Sequence, residues 1–342
     1  MRIVGLEEHF NVPSLVSRIP ASNIAARGWP SGDHVPAAMD HRQELPDLGA
    51  GRLRVMDEAG ITVEVLSMAG PGADLLDGDR GIAFARDAND RLARAVSEHP
   101  TRFAGFAHLP LRTPDAAADE LDRAVRILDF KGALLNGMTR DRFLDDRSFD
   151  PLLARAEALD VPLYLHPGIP PEAVRIAYYD GLSPAVRFLL SAPGWGWHAD
   201  TAVHVLRLVL SGAFDRHRRL RIIVGHMGEM LPVMMARFDE VFRREVTHLE
   251  RAVSQTILDH VVITTSGFFS TAPFMAALMT FGVDRVLFSV DYPFSRNDLG
   301  RAFLDKLPVS GDDLEKIAHG NADRLLKLSH REPWARSPAK PR

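Results

Sequence analysis

Glu7 and His9 stand two residues apart at the end of an apolar run that begins at Arg2. In a β-strand side chains alternate between faces, so these two point the same way. A carboxylate beside an imidazole can share one divalent cation. Glu7 can equally be a solvated strand-end carboxylate, and the ligand reading gains force from three later apolar runs. These end in His166, His226 and Asp291. His166, between Leu165 and Pro167, can also be read as a satisfied core histidine. Asp291 can be a helix cap or the partner of an arginine, but a carboxylate at that depth is costly unless paired or bound to metal. Ligand-type residues at the carboxyl ends of separate strands are what a metal site at the top of a β/α barrel requires. Glu229 follows His226 by three residues and can reach back to a ring nitrogen, fixing the tautomer and raising basicity. A capping role at a helix start is the other reading of Glu229.

Eight strands must position these residues, at 2–9, 62–68, 103–109, 130–136, 161–166, 221–226, 261–266 and 285–291. Several are rich in Val, Ile, Leu or Phe and bounded by Gly, Pro or Asp, as buried parallel strands are. Helical spacing of apolar residues marks 79–98, 114–128, 151–158, 199–214, 230–251 and 271–281 between them. Strands alternating with helices give an α/β fold of parallel βα units, and eight of them predict a (β/α)8 TIM barrel with long loop insertions at its carboxyl-terminal face. Residues 1–328 form that one domain, and 329–342 read as a disordered tail. The insertions are 11–50, either a lid or subunit arm or a surface loop, and 167–198, which follows the fifth strand and flanks the mouth. Met234, Met235, Phe238 and Phe242 form an apolar stripe that packs on the barrel, on a second subunit, or on both.

The bulk numbers exclude several function classes. The 342 residues carry a formal net charge of −4, which gives no signal for nucleic acid or an anionic membrane. The chain has no cysteine, so disulfides, thiolate ligands and a cysteine nucleophile are ruled out. No signal peptide or membrane span is legible, and the expected location is the cytoplasm.

Six motifs together carry a family resemblance: Leu-Glu-Glu-His-Phe (6–10), Leu-Leu-Asn-Gly (134–137), Leu-Tyr-Leu-His-Pro (163–167), Gly-His-Met-Gly-Glu (225–229), Thr-Thr-Ser-Gly (264–267) and Ser-Val-Asp-Tyr-Pro-Phe (289–294). Over roughly residues 1–328 the chain resembles the metal-dependent amidohydrolase superfamily, in its branch of nonoxidative aromatic acid decarboxylases. It is similar to the 2,3-dihydroxybenzoate, γ-resorcylate and 5-carboxyvanillate enzymes. The resemblance implies a metal shell of Glu7, His9, His166 and Asp291, and a catalytic dyad of His226 and Glu229. It implies that Arg237 is lent to a neighbouring subunit's substrate, and it matches Arg52 to a second such arginine. It puts Phe294 in an aromatic slot and Asn136 where the fourth strand meets the site. A homodimer or homotetramer follows from the same comparison. The 11–50 and 167–174 segments depart from the resorcylate enzymes, and 66–72 comes nearer the carboxyvanillate type. Glu-x-His on the first strand, and no lysine at the carboxyl end of the fourth, argue against the superfamily's two-metal hydrolases.

The reaction implied is metal-dependent loss of carbon dioxide from an ortho-hydroxy aromatic acid, with no organic cofactor. Direct loss would leave an aryl carbanion, so the ring carbon is protonated first. Asp291 is expected to deliver that proton, with His226 and Glu229 assisting by accepting the phenolic proton or polarising a water. One divalent ion is expected: zinc suits the imidazoles, manganese or magnesium the carboxylates. The alternative function is a metal-dependent hydrolase or hydratase of a carboxylated ring-cleavage product or lactone. A non-catalytic barrel is a third class, weakened because no metal or dyad position is missing.

Overall fold

The computed structural model describes residues 1–30 and 40–328. Its strands are β1 (Val4–Phe10), β2 (Val63–Met68), β3 (Phe103–Gly105), β4 (Ala133–Asn136), β5 (Leu163–His166), β6 (Ile222–Val224), β7 (Val261–Thr264) and β8 (Val286–Leu287). All pairings are parallel and follow chain order, β1-β2-β3 and β4-β5-β6-β7-β8. Ala107 joins the two sets by bridging to Ala133, with its N–H on Gly132 O at 2.8 Å. The seam between β8 and β1 is held mainly by side chains. The buried Glu8 carboxylate accepts from the backbone N–H of Val290 and Tyr292, both at 2.9 Å, and from Ser289 Oγ at 3.0 Å. The N–H of His9 donates to Tyr292 O at 2.7 Å. The architecture is a (β/α)8 barrel. Its strands read as continuous apolar runs because both faces are covered: Val65, Phe106, Leu134 and Ile223 fill the interior, while Leu66, Leu135 and Leu165 pack outward under the helices.

One irregularity decides which side chains reach the mouth. Val4 and Leu6 belong to the interior cluster, so strict alternation would send Glu8 inward and Glu7 and His9 outward. The register of β1 against β2 slips between Gly5 and Glu8. This bulge inserts one residue, turning Glu7 and His9 inward and releasing Glu8 to the seam.

The helices Gly78–Glu98, Pro114–Arg126, Asp150–Leu159, Gly196–Leu210 and Thr271–Phe281 occupy the expected segments. The 230–251 segment does not form one long helix. It breaks into a short turn at Leu231–Val233 and the helices Met235–Val241 and Arg244–Thr247. Pro232 lacks an N–H and its ring blocks the preceding turn. Helix Ala50–Ala59 escapes the periodicity argument because its inner face buries an arginine, Arg52. No helix among the described residues is long and apolar enough to cross a membrane. The expected tail, 329–342, lies outside the described residues.

Arg52 is not at the cleft, contrary to its expected place beside substrate. It is 1% exposed, pairs with Glu64 at 2.8 Å, donates to Asp47 O at 2.9 Å and to the carbonyl of His9, and lies under the Tyr292 ring. The reason is packing: Glu64 is also fully buried, and only a partner with several donors offsets its desolvation. Arg52→Ala is expected to lower stability by about 3–5 kcal/mol by stranding Glu64. Urea unfolding checks this, and a loss under about 1 kcal/mol would contradict the assignment.

Candidate metal and catalytic site

The carboxyl ends of β1, β5 and β6 and the segment after β8 converge on one point. One ligand atom each from Glu7, His9, His166 and Asp291 lie within 4.8 Å of one another. His9 Nε2 is 3.2 Å from Asp291 Oδ1, and His166 Nε2 is 3.3 Å from Glu7 Oε1. Nδ1–H of His166 donates to Pro167 O at 2.8 Å, which leaves the Nε2 lone pair facing the cluster. Ser67 Oγ lies 3.2 Å from His9 Nδ1 and helps hold the orientation of that ring.

Three buried atoms at this point have no hydrogen-bond partner: Glu7 Oε1, His9 Nε2 and Asp291 Oδ1. Buried polar atoms are rarely left so, and three sharing one space fit a divalent cation. The other oxygen of Glu7 accepts from the Tyr164 hydroxyl, which also contacts Thr264 Oγ1 at 2.8 Å. Gly225 makes room for that carboxylate, since a Cβ there would lie 2.5 Å from Glu7 Oε2. Burial pushes the Glu7 carboxyl up, as an unmatched negative charge inside a barrel requires. Burial also holds His166 well below the usual histidine range, and its neighbour His9 adds to this. A neutral imidazole is the form that binds metal.

His226 stands beside the cluster, with Nε2 3.7 Å from Glu7 Oε1 and 3.8 Å from Asp291 Oδ2. Its Nδ1 bonds Glu229 Oε1 at 2.7 Å. Burial would lower the basicity of His226, but the charges of Glu7 and Glu229 outweigh it and raise it well above the ordinary value. Burial works to raise Asp291, yet the neighbouring imidazoles of His226 and His9 hold its carboxyl low. Glu229 caps no helix start: it closes the short 3-10 turn His226–Gly228 within a run of positive φ from His226 to Met230, and its carboxylate is used on side chains. A left-handed residue other than glycine costs about 1–2 kcal/mol. Four of them in one five-residue turn mark backbone bent to aim His226 and Glu229.

The cleft above the cluster holds about 540 Å³ of space, its open mouth included. Trp29, Trp197, Phe294 and Pro167 wall it, and Asn136 and His226 supply polar edges. Phe294 lies edge-on to His9 with ring centroids 5.7 Å apart. No arginine or lysine is among the described residues that line it. Arg237 is on the outer surface, with its side chain 61% exposed and paired to Glu240 at 2.8 Å.

Sequence reasoning did not single out Tyr164, Trp29, Trp197 or His198 for the site. Tyr164 lies inside a motif already noted and the Trp197–His198 pair at the end of the 167–198 insertion, but only the fold shows what they face. His198 Nδ1 bonds Glu229 Oε2 at 2.6 Å.

The sequence pattern of the amidohydrolase family matches residues 9–328, and the chain belongs to that family. The γ-resorcylate decarboxylase of Polaromonas sp. is 38% identical over 338 residues, covering 95% of this chain and 98% of the relative. Within the family the chain therefore falls in the branch of aromatic acid decarboxylases. The crystal structure of a dihydroxybenzoic acid decarboxylase from Polaromonas sp., with bound manganese and the inhibitor 2-nitroresorcinol, aligns with a TM-score of 0.84 and 36% identity, covering 96% of this chain and 97% of that one. The 5-carboxyvanillate decarboxylase of Sphingomonas paucimobilis aligns with a TM-score of 0.87 and 29% identity, covering 96% of this chain and 99% of that one.

Proposed function

We propose that this protein removes carbon dioxide from an aromatic acid with a hydroxyl group ortho to the carboxyl, using one divalent metal and no organic cofactor. The observation that carries the reading is Asp291. One of its oxygens lies in the ligand cluster and the other faces His226, at the floor of an aromatic-walled cleft. The names of the relatives, γ-resorcylate and dihydroxybenzoic acid decarboxylases, support the substrate class.

Glu7, His9, His166 and Asp291 would hold the ion. When bound, it would supply Lewis acidity to the substrate carboxylate and the adjacent phenolic oxygen, holding the ring in one orientation. Two imidazoles suit zinc, and two carboxylates suit manganese, the ion in the Polaromonas structure. Trp29, Trp197 and Phe294 clamp the ring and exclude water. Asp291, itself protonated by His226, delivers that proton to the ring carbon that bears the carboxylate. The bond to the carboxylate carbon then breaks, its electron pair restores the aromatic ring, and carbon dioxide leaves. His226 returns a proton to Asp291 across the 3.8 Å between them, directly after a small rotation or through one water. Asn136, on the edge of the cleft, would bond a ring hydroxyl.

A panel of dihydroxybenzoates, hydroxybenzoates and 5-carboxyvanillate, incubated with metal-replete protein in deuterated water, tests the reaction. The expected result is carbon dioxide release with one deuterium on the ring carbon that lost the carboxylate. Solvent oxygen incorporated into carboxylated lactones or ring-opened dienoates, with the panel inert, would establish a hydrolase or hydratase instead.

No arginine or lysine is among the described residues that line the cleft, and Arg237 is exposed on the outer surface. A homodimer or homotetramer in which Arg237 reaches a neighbouring cleft completes the site. Sedimentation at micromolar concentration is expected to give an oligomer, and a monomer that retains full turnover would refute the shared site.

A further inference from the structure

His198 lies at the start of helix Gly196–Leu210 and is 7% exposed. Its Nδ1 is 2.6 Å from Glu229 Oε2, and its Nε2 is 2.9 Å from Pro193 O. Both partners accept, so both ring nitrogens donate. Glu229 is itself 1% exposed, and its two oxygens are divided between two histidines: Oε1 takes Nδ1 of His226 and Oε2 takes Nδ1 of His198. The 2.6 and 2.7 Å contacts are direct charge-assisted hydrogen bonds. The three side chains therefore hold one another, with no need of a second cation between them.

We infer that His198 is a positioning residue for the reaction, acting on His226 through Glu229. Removing the His198 donor leaves Oε2 buried without a partner, a state that costs more than the bond itself is worth. The Glu229 carboxylate then rotates or takes up a proton to satisfy that oxygen. In either case it no longer holds Nδ1–H of His226, and Nε2 of His226 loses its fixed aim toward Asp291. The same histidine ties this relay to the wall of the cleft. Its Nε2 is bonded to Pro193, its chain neighbour is Trp197, and both of those line the cleft. The segment between β5 and β6 thus sets His226 from outside the metal cluster as well as closing one side of the mouth.

The inference rests on the proposed role of His226, and its test separates the two. His198→Phe keeps a ring and removes both donors, whereas His198→Asn places an amide N–H where Nδ1 stood. In metal-replete enzyme with 2,6-dihydroxybenzoate, His198→Phe is expected to lower kcat about 10- to 100-fold, with KM and bound metal nearly unchanged, as loss of an outer partner does. His198→Asn is expected to recover most of kcat. The imidazole N–H resonance of His226 in zinc-loaded protein reads the same link without turnover: it should shift or broaden in His198→Phe and return in His198→Asn. Should His198→Phe not fold, His198→Ala with imidazole in the medium gives the equivalent comparison, and rescue of kcat is then the supporting result. An unaltered His226 resonance in His198→Phe overturns the inference, as do equal losses of kcat in the Phe and Asn variants or an absence of rescue. If wild-type protein is inert toward the aromatic panel, the decarboxylase reading fails, while the resonance still decides whether His198 positions His226.

Discussion

Asp291→Asn is expected to lower kcat by about 10²- to 10⁴-fold, the range for losing a positioned general acid. The substitution is nearly isosteric, and the backbone tolerates it. Asp291 sits at φ 72°, in the left-handed region that asparagine adopts more readily than most residues. An amide cannot deliver a proton to a ring carbon, and it is also a weaker ligand. Metal content must therefore be measured alongside turnover. Residual activity within tenfold of wild type, at full metal occupancy, would remove Asp291 from the proton path. Thermal unfolding should change little, because Asp291 Oδ1 forms no hydrogen bond within the chain.

The second large effect is expected at His166. His166→Ala removes one of two imidazoles from a four-residue shell and leaves Glu7 Oε1 without its neighbour at 3.3 Å. Near-stoichiometric metal in wild type is expected to fall below about a tenth in the variant after dialysis, in keeping with the 10- to 100-fold losses of affinity seen even for outer partners. Turnover should fall with it. Elemental analysis and chelator competition measure the metal without reference to activity. Full retention of metal and turnover in His166→Ala would sink the proposed shell. A chelator should abolish wild-type turnover, and re-addition of zinc or manganese, whichever is native, should restore it fully.

Much of this site was legible because it sits on regular elements. Strands and helices alternate strongly enough to predict eight βα units, and each of the eight strands formed where an apolar run predicted it. Chemistry-bearing residues at the ends of those runs then share a mouth by topology alone, which is why His166, His226 and Asp291 could be gathered without coordinates. The His226–Glu229 spacing was legible for the same reason, as a local contact at a strand end.

Other features depended on where the chain returns in space. Glu7 and Glu8 are adjacent and chemically identical, yet one faces the metal cluster and the other closes the β8–β1 seam. Alternation pairs Glu7 with His9, but it takes a one-residue bulge to turn that face into the barrel and send Glu8 to the seam. Arg52 read as a substrate arginine from motif position, but burial of Glu64 beside it claimed its donors. His198 is 31 residues before Glu229 and carries no motif of its own, so only the packing of helix Gly196–Leu210 against the β6 turn brings them together. The sequence by itself determined the barrel, the strand-end residues and the class of chemistry, because these follow from local periodicity and residue type. Packing settled the seam role of Glu8, the burial of Arg52 and the second partner of Glu229, because each depends on contacts between distant parts of the chain.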